Sequence, residues 1–84
     1  MRLTIFSKPG CHLCDEMKAT VHRVLSTYSN GASIAVDEID ISNDAALLEQ
    51  YGLEIPVLLI DGKKAAKYRV SEADLTRMIE GRRF

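Results

Sequence analysis

Two cysteines with two residues between them, in Cys11-His12-Leu13-Cys14, are the side chains of this sequence best suited to chemistry. They are too few to staple a fold, and a bridge between them closes only a tiny loop, so it adds little stability. A thiolate, by contrast, can attack a disulfide, and a second thiol close by can then displace the mixed disulfide so formed. The pair follows Pro9-Gly10 and opens a helical pattern, which puts Cys11 at a helix N-terminus. There the unsatisfied backbone N–H groups and the positive end of the macrodipole favour a thiolate over a thiol. Cys14 shares a helix side with Met17 and Val21, so it is expected to be more buried, less ionised and placed to resolve a mixed disulfide at Cys11.

Other readings of the pair stand beside this one. Half of a zinc site would need two more ligands, and the only histidines are His12, inside the motif, and His22, roughly 12 Å along the helix from Cys14 at 1.5 Å per residue. No metal site is therefore expected, and His22 is assigned no role. Two ordinary buried cysteines would leave Pro9-Gly10 and the helix-start position unexplained. An inert pair in a domain that only binds partners is the third alternative.

The elements that must position the pair follow from periodicity. Arg2 to Ser7 alternates, with Leu3 and Ile5 on one face and Thr4 and Phe6 on the other, and predicts a first strand ended by Pro9-Gly10. From Cys11, apolar residues recur at Cys14, Met17, Val21, Val24 or Leu25, and Tyr28, an amphipathic helix stopped by Ser29-Asn30-Gly31. Ala32 to Ile41 reads as a strand with an irregularity between Val36 and Ile39, where the alternation slips. Ser42-Asn43-Asp44 offers N-caps to a short helix over Ala45 to Gln50, with Gly52 just past its end. Pro56 to Ile60 is an apolar strand, Asp61-Gly62 a hairpin signal, and Lys63 to Arg69 a lysine-bearing edge strand. Ser71-Glu72-Ala73-Asp74 resembles a capping box that opens a last helix with Leu75, Met78 and Ile79 on its apolar face. The order β-α-β-α-β-β-α predicts a mixed four-stranded α/β sheet flanked by three helices, the strand-helix-strand units implying parallel pairing and the hairpin an antiparallel edge.

Composition bounds the rest. Eighty-four residues, 46% of them hydrophobic and 27% charged, suit one domain over residues 1–84. Such a chain buries only roughly 60% of its unfolded surface, so the core is thin. Eleven Lys and Arg against twelve Asp and Glu give a formal charge of -1, without the one-sign excess that a nucleic-acid backbone demands. The longest apolar run, Pro56 to Ile60, falls far short of the roughly 18 residues of a membrane span. The first residues reach a charge and Pro9-Gly10 too soon for the apolar core of a secretion signal, so a cytoplasmic location is expected.

Thr4 to Cys14, followed by Ile55-Pro56-Val57 and a hairpin containing Gly62, resembles a glutaredoxin of the thioredoxin superfamily over nearly the whole chain. More narrowly, Gly10-Cys11-His12-Leu13-Cys14-Asp15-Glu16-Met17 and Tyr51 to Leu58 resemble a bacterial glutaredoxin-like family. The resemblance implies a thioredoxin-like fold and a dithiol-disulfide oxidoreductase. Cys11 would attack a protein or glutathione disulfide, and Cys14 would resolve it. It also implies that Pro56 is a cis-proline beside the cysteines and that the backbone of Ile55 pairs with substrate. Lys8 would favour the Cys11 thiolate and attract a carboxylate, or stand merely solvated. A protonated His12 would act on Cys11 in the same direction, and Leu13, at an exposed helix start, would contact a partner. Glutathione-using members usually carry Gly-Gly before the last helix, whereas this chain has Arg69-Val70-Ser71-Glu72. Ser71 and the N–H groups of the helix start could still hold a carboxylate.

The expected protein is thus a monomer with no bound cofactor, acting on disulfide-containing proteins, with glutathione or a thioredoxin-reductase-type system as electron donor. Nucleic acid and membrane are not expected partners. The alternatives are a glutathione-dependent iron-sulfur carrier, in which Cys11 from two protomers holds the cluster, and a redox-inactive binding domain.

Overall fold

A computed structural model describes residues 1–28 and 33–81 of the chain. Its elements are β1 (Arg2–Ser7), α1 (His12–Thr27), β2 (Ala35–Asp40), α2 (Ala45–Tyr51), β3 (Val57–Ile60), β4 (Lys63–Lys67) and α3 (Glu72–Gly81). This is the expected order of strands and helices. The stop expected at Ser29-Asn30-Gly31, and Ala32, lie outside the described residues; α1 closes at Tyr28, whose backbone N–H donates to the Val24 carbonyl at 3.0 Å.

The four strands are arranged β2-β1-β3-β4. β1 and β2 are parallel, as a strand-helix-strand unit implies, with Leu3 opposite Val36 and Phe6 opposite Ile39. The second such unit departs from that rule: β3 pairs with β1 instead of β2, and antiparallel, with Phe6 opposite Val57 and Leu3 opposite Ile60. The reason lies in the connection. β2 ends level with the end of β1, and two turns of helix, about 10 Å long, carry the chain across Phe6 at that same end instead of back along the sheet. β3 then starts where β1 stops. The hairpin into β4 forms as expected, with Asp61 at φ 50° and Gly62 at φ 83°, the double positive φ of the tight turn whose twist matches paired strands.

Both faces of the sheet are covered, which explains the patterning. On one face Leu3, Ile5, Leu58 and Ile60 pack against Met17, Val21 and Val24 of α1 and Leu75 and Ile79 of α3. On the other, Phe6, Val57 and Ile41 meet Leu47, Leu48 and Tyr51 at α2, with the Phe6 and Tyr51 rings 4.8 Å apart. β3 is apolar throughout because it is buried on both sides. The irregularity expected between Val36 and Ile39 is not a bulge, since the β1–β2 register runs without a shift from Ala35 to Asp40. Apolar residues change parity there because Val36 serves the α1/α3 core while Ile41, just past the strand, serves the α2 core. The register shift in the sheet falls instead between Leu58 and Leu59, opposite β4. That edge strand is also shorter than expected, ending at Lys67 and not Arg69.

Asp44 caps α2, accepting the Leu47 N–H on Oδ1 at 3.0 Å. Because α2 has seven residues and no fully buried side chain, this cap is a large share of what holds it. Asp44→Ala is expected to lower stability by about 1 kcal/mol, read as a drop in the urea midpoint at unchanged slope.

Candidate functional site

The chain leaves β1 through a turn in which the Lys8 carbonyl accepts the Cys11 N–H at 3.3 Å. Pro9 supplies the fixed φ of the second position, and Gly10, at φ 75°, the left-handed third position that a side chain would strain. That turn delivers Cys11 as the N-cap of α1. Its sulfur accepts the Cys14 backbone N–H at 3.1 Å, and its carbonyl takes the Asp15 N–H. The sulfur therefore lies against the positive end of a sixteen-residue helix. Exposed Asp15, in the first turn, draws on the same field. Cys11 and Cys14 are joined as a disulfide with Cα atoms 5.2 Å apart. Cys11 is half-buried and Cys14 fully buried in line with Met17 and Val21, the asymmetry that the helix periodicity implies.

The antiparallel course of β3 brings the other half of the site to the same end of the sheet. Val57 pairs with Phe6, so Pro56 and Ile55 continue past it alongside the residues leading to Cys11. A parallel β3 would have put them at the opposite end. The Ile55–Pro56 peptide bond is cis, as the family resemblance implies. The Pro56 carbonyl accepts the Tyr68 N–H at 2.8 Å. Among the described residues the N–H and C=O of Ile55 make no hydrogen bond, which leaves its backbone unpaired at the same end of the sheet as the cysteines.

The remaining expected residues are placed less uniformly. Lys8 is half-buried in the turn, and among the described residues no ion pair holds its ammonium. His12 is exposed and directed along the helix, with Nε2 3.6 Å from Glu16 Oε1. Leu13 is half-buried, less open than a helix start suggested. Ser71 caps α3, its hydroxyl accepting the Asp74 N–H at 3.1 Å, and among the described residues no hydrogen bond joins it to either cysteine. His22 lies on the surface, 3.5 Å from Glu38.

Three neighbours of the site had no signal in the sequence. Leu53, two residues before Ile55, is 95% exposed. Glu54 pairs with Lys64 and lies 3.8 Å from Lys67. The hydrogen bond from Lys64, with the charges of both lysines, holds the Glu54 carboxyl below its usual range, so the tether stays ionised into mildly acidic solution. Tyr68, just after β4, has φ 67°. A groove of about 320 Å³ separates Tyr68, Arg69 and Val70 from Glu16, Thr20 and Arg23 of α1. Arg23 crosses towards α3 to meet Glu72 at 3.2 Å. Among the described residues no group of three His, Cys, Asp or Glu side chains is gathered to hold a metal ion, and no helix is long and apolar enough to cross a membrane.

The family model described as Glutaredoxin-like domain (DUF836) matches residues 2–80. The chain belongs to that family. This glutaredoxin-like protein is 27% identical over 77 residues to the Glutaredoxin-like protein YDR286C homolog of Dictyostelium discoideum, across 89% of this chain and 71% of the relative. Its structure is similar to the X-ray structure of protein XcR50 from X. campestris, with a TM-score of 0.73 and 25% identity, over 94% of this chain and 96% of that one. It also superposes on a mutant thioredoxin from Halobacterium salinarum with a TM-score of 0.60 and 26% identity, over 95% of this chain and 72% of the thioredoxin. The glutaredoxin-like chain thus has a thioredoxin-like fold, a mixed four-stranded sheet with three helices, and carries a cysteine pair suited to a redox role.

Proposed function

We propose that the protein is a thiol-disulfide oxidoreductase whose reduced Cys11 thiolate attacks one sulfur of a substrate disulfide. That step forms a Cys11–substrate disulfide and releases the other substrate sulfur as a thiolate, which takes a proton from water. Cys14 then loses its proton and attacks Cys11, expelling the second substrate thiolate and leaving the Cys11–Cys14 disulfide. Two electrons have passed to the substrate. A dithiol donor, or two glutathione molecules that leave as their disulfide, returns them.

The observation that carries this reading is the position of Cys11 at the α1 N-cap, its sulfur 3.1 Å from the Cys14 N–H, at the sheet end shared with Ile55–Pro56. The same N–H groups would stabilise a thiolate at Cys11, while burial would keep Cys14 a thiol until the mixed disulfide forms. On this reading Lys8 draws anionic groups towards the pair and Leu13 lies against the partner. Ile55 pairs with the substrate backbone. Ser71 and the α3 start offer a carboxylate site, and His12 adds positive charge when protonated. Substrates are disulfide-containing proteins, glutathione being a poorer fit where Arg69 and Val70 replace small residues. The protein works as a cytoplasmic monomer without a resident cofactor, and neither nucleic acid nor membrane is a partner.

Equilibration of the Cys11–Cys14 couple in glutathione redox buffers tests it. A potential of roughly -270 to -200 mV is expected, with turnover of a small disulfide when either glutathione and its reductase or thioredoxin reductase supplies electrons. The supply that works names the donor. A pair that never forms a disulfide in solution, or that turns over with neither supply, defeats the proposal. Brown colour and dimerisation on anaerobic reconstitution with iron and sulfide would replace it with the cluster-carrier reading.

A further inference from the structure

Among the described residues two that are not glycine have positive φ, Asp61 in the hairpin turn and Tyr68. Asp61 needs no other reason. Tyr68 is a bulky residue in a region that such side chains avoid, and the Arg69 N–H closes on the Lys67 carbonyl at 2.8 Å around it, a strained three-residue turn. Conformations of this kind persist where the surroundings impose them, and they gather at binding sites.

What Tyr68 does with that conformation is specific. Its backbone N–H donates to the Pro56 carbonyl at 2.8 Å, and its phenol donates to the Leu53 carbonyl at 3.2 Å. The residue between those carbonyls on the Leu53 side, Glu54, is held by Lys64 and Lys67 of β4. The end of β4 therefore fastens Leu53, Glu54 and Pro56, while among the described residues neither the N–H nor the C=O of Ile55 has a hydrogen-bond partner. We propose that Tyr68 is a positioning residue. Through the phenol–Leu53 and N–H–Pro56 bonds it fixes this loop so that Ile55 presents its backbone, preformed, to an extended polypeptide segment beside the substrate disulfide. A loop ordered before binding spares the substrate the entropy of ordering it, so the bracing acts on association and not on sulfur exchange. The inference rests on the oxidoreductase reading and adds to it a residue that touches neither sulfur.

The test uses Tyr68→Phe, which removes the phenol hydroxyl alone, and Tyr68→Gly, which keeps the N–H to Pro56 and adopts the positive φ without strain. Three quantities are read in each: KM and kcat for a disulfide-linked peptide, the alkylation rate of Cys11 by iodoacetamide, and backbone ¹⁵N order parameters over residues 53–55. For Tyr68→Phe, KM is expected to rise roughly fivefold to tenfold, as the loss of one hydrogen bond allows. Its kcat and alkylation rate should stay unchanged, and order parameters at 53–55 should fall. Tyr68→Gly should melt no lower than wild type and show at least the same rise in KM. Wild-type turnover with an unchanged KM in Tyr68→Phe overturns the positioning role and leaves the oxidoreductase reading intact. So does a parallel loss of kcat, alkylation rate and melting temperature, which would mark Tyr68 as merely structural. A wild type that turns over no disulfide overturns both.

Discussion

Cys11→Ser is expected to reduce disulfide turnover to the uncatalysed background, a loss on the order of 10³-fold or more, as for removal of other catalytic nucleophiles. A hydroxyl at the α1 N-cap would still accept the Cys14 N–H, so the helix start and the fold are preserved and the loss is chemical. Cys14→Ser should behave differently. Cys11 keeps its half-exposed sulfur at the helix terminus and can still attack, but the covalent product has no internal thiol to resolve it. That variant should accumulate a mixed disulfide with its substrate, seen as an added mass that dithiothreitol removes. In the reduced wild type, one equivalent of iodoacetamide should label Cys11 before the fully buried Cys14. Equal turnover in Cys11→Ser and wild type would refute the dithiol mechanism, and trapping by Cys11→Ser in place of Cys14→Ser would reverse the assignment of attacking and resolving sulfurs.

What could be read from the residues alone divides along physical lines. β1, α1 and the Asp61-Gly62 turn were legible because each is a local matter: alternation, three-to-four spacing, and a dipeptide suited to positive φ. The cysteines followed, since a helix start after Pro9-Gly10 sets the environment of Cys11 and periodicity sets the burial of Cys14. The direction of β3 was not local. Val57 to Ile60 is apolar on both faces, so its pattern carries no phase, and whether the chain crosses the sheet end or returns along it is decided by where α2 packs over Phe6. That choice puts Ile55–Pro56 at the end of the sheet from which β1 leads to Cys11. The change of parity between Val36 and Ile39 looked like a bulge because one strand serves two cores. Tyr68 was hidden for another reason. Its residue type favours a strand, and only the tertiary pull of the Leu53 and Pro56 carbonyls turns it left-handed.

Leu58→Ala should produce the largest loss of stability among these substitutions. Leu58 is fully buried in the strand next to β1, on the face covered by α1 and α3, where Leu3, Ile5, Met17, Leu75 and Ile79 belong to the same cluster. Truncation removes three carbons from water-free surroundings and leaves a cavity that two helices and a sheet cannot collapse without moving each other, a cost of about 2–5 kcal/mol. A domain of this size has about 4–13 kcal/mol in total at 0.05–0.15 kcal/mol per residue, so a large share would go. Ile39→Ala is the matched control: it is 37% exposed on edge strand β2, and it should cost under about 1 kcal/mol because little apolar surface is lost from burial. Urea unfolding followed by far-ultraviolet circular dichroism gives both values. A Leu58→Ala midpoint within error of the Ile39→Ala midpoint would refute the two-core account of the sheet. The consequence reaches the site, since β3 carries Ile55–Pro56 into place through Val57 opposite Phe6. Near its midpoint Leu58→Ala should therefore lose disulfide turnover in step with the folded fraction, while Cys11→Ser stays fully folded and inactive.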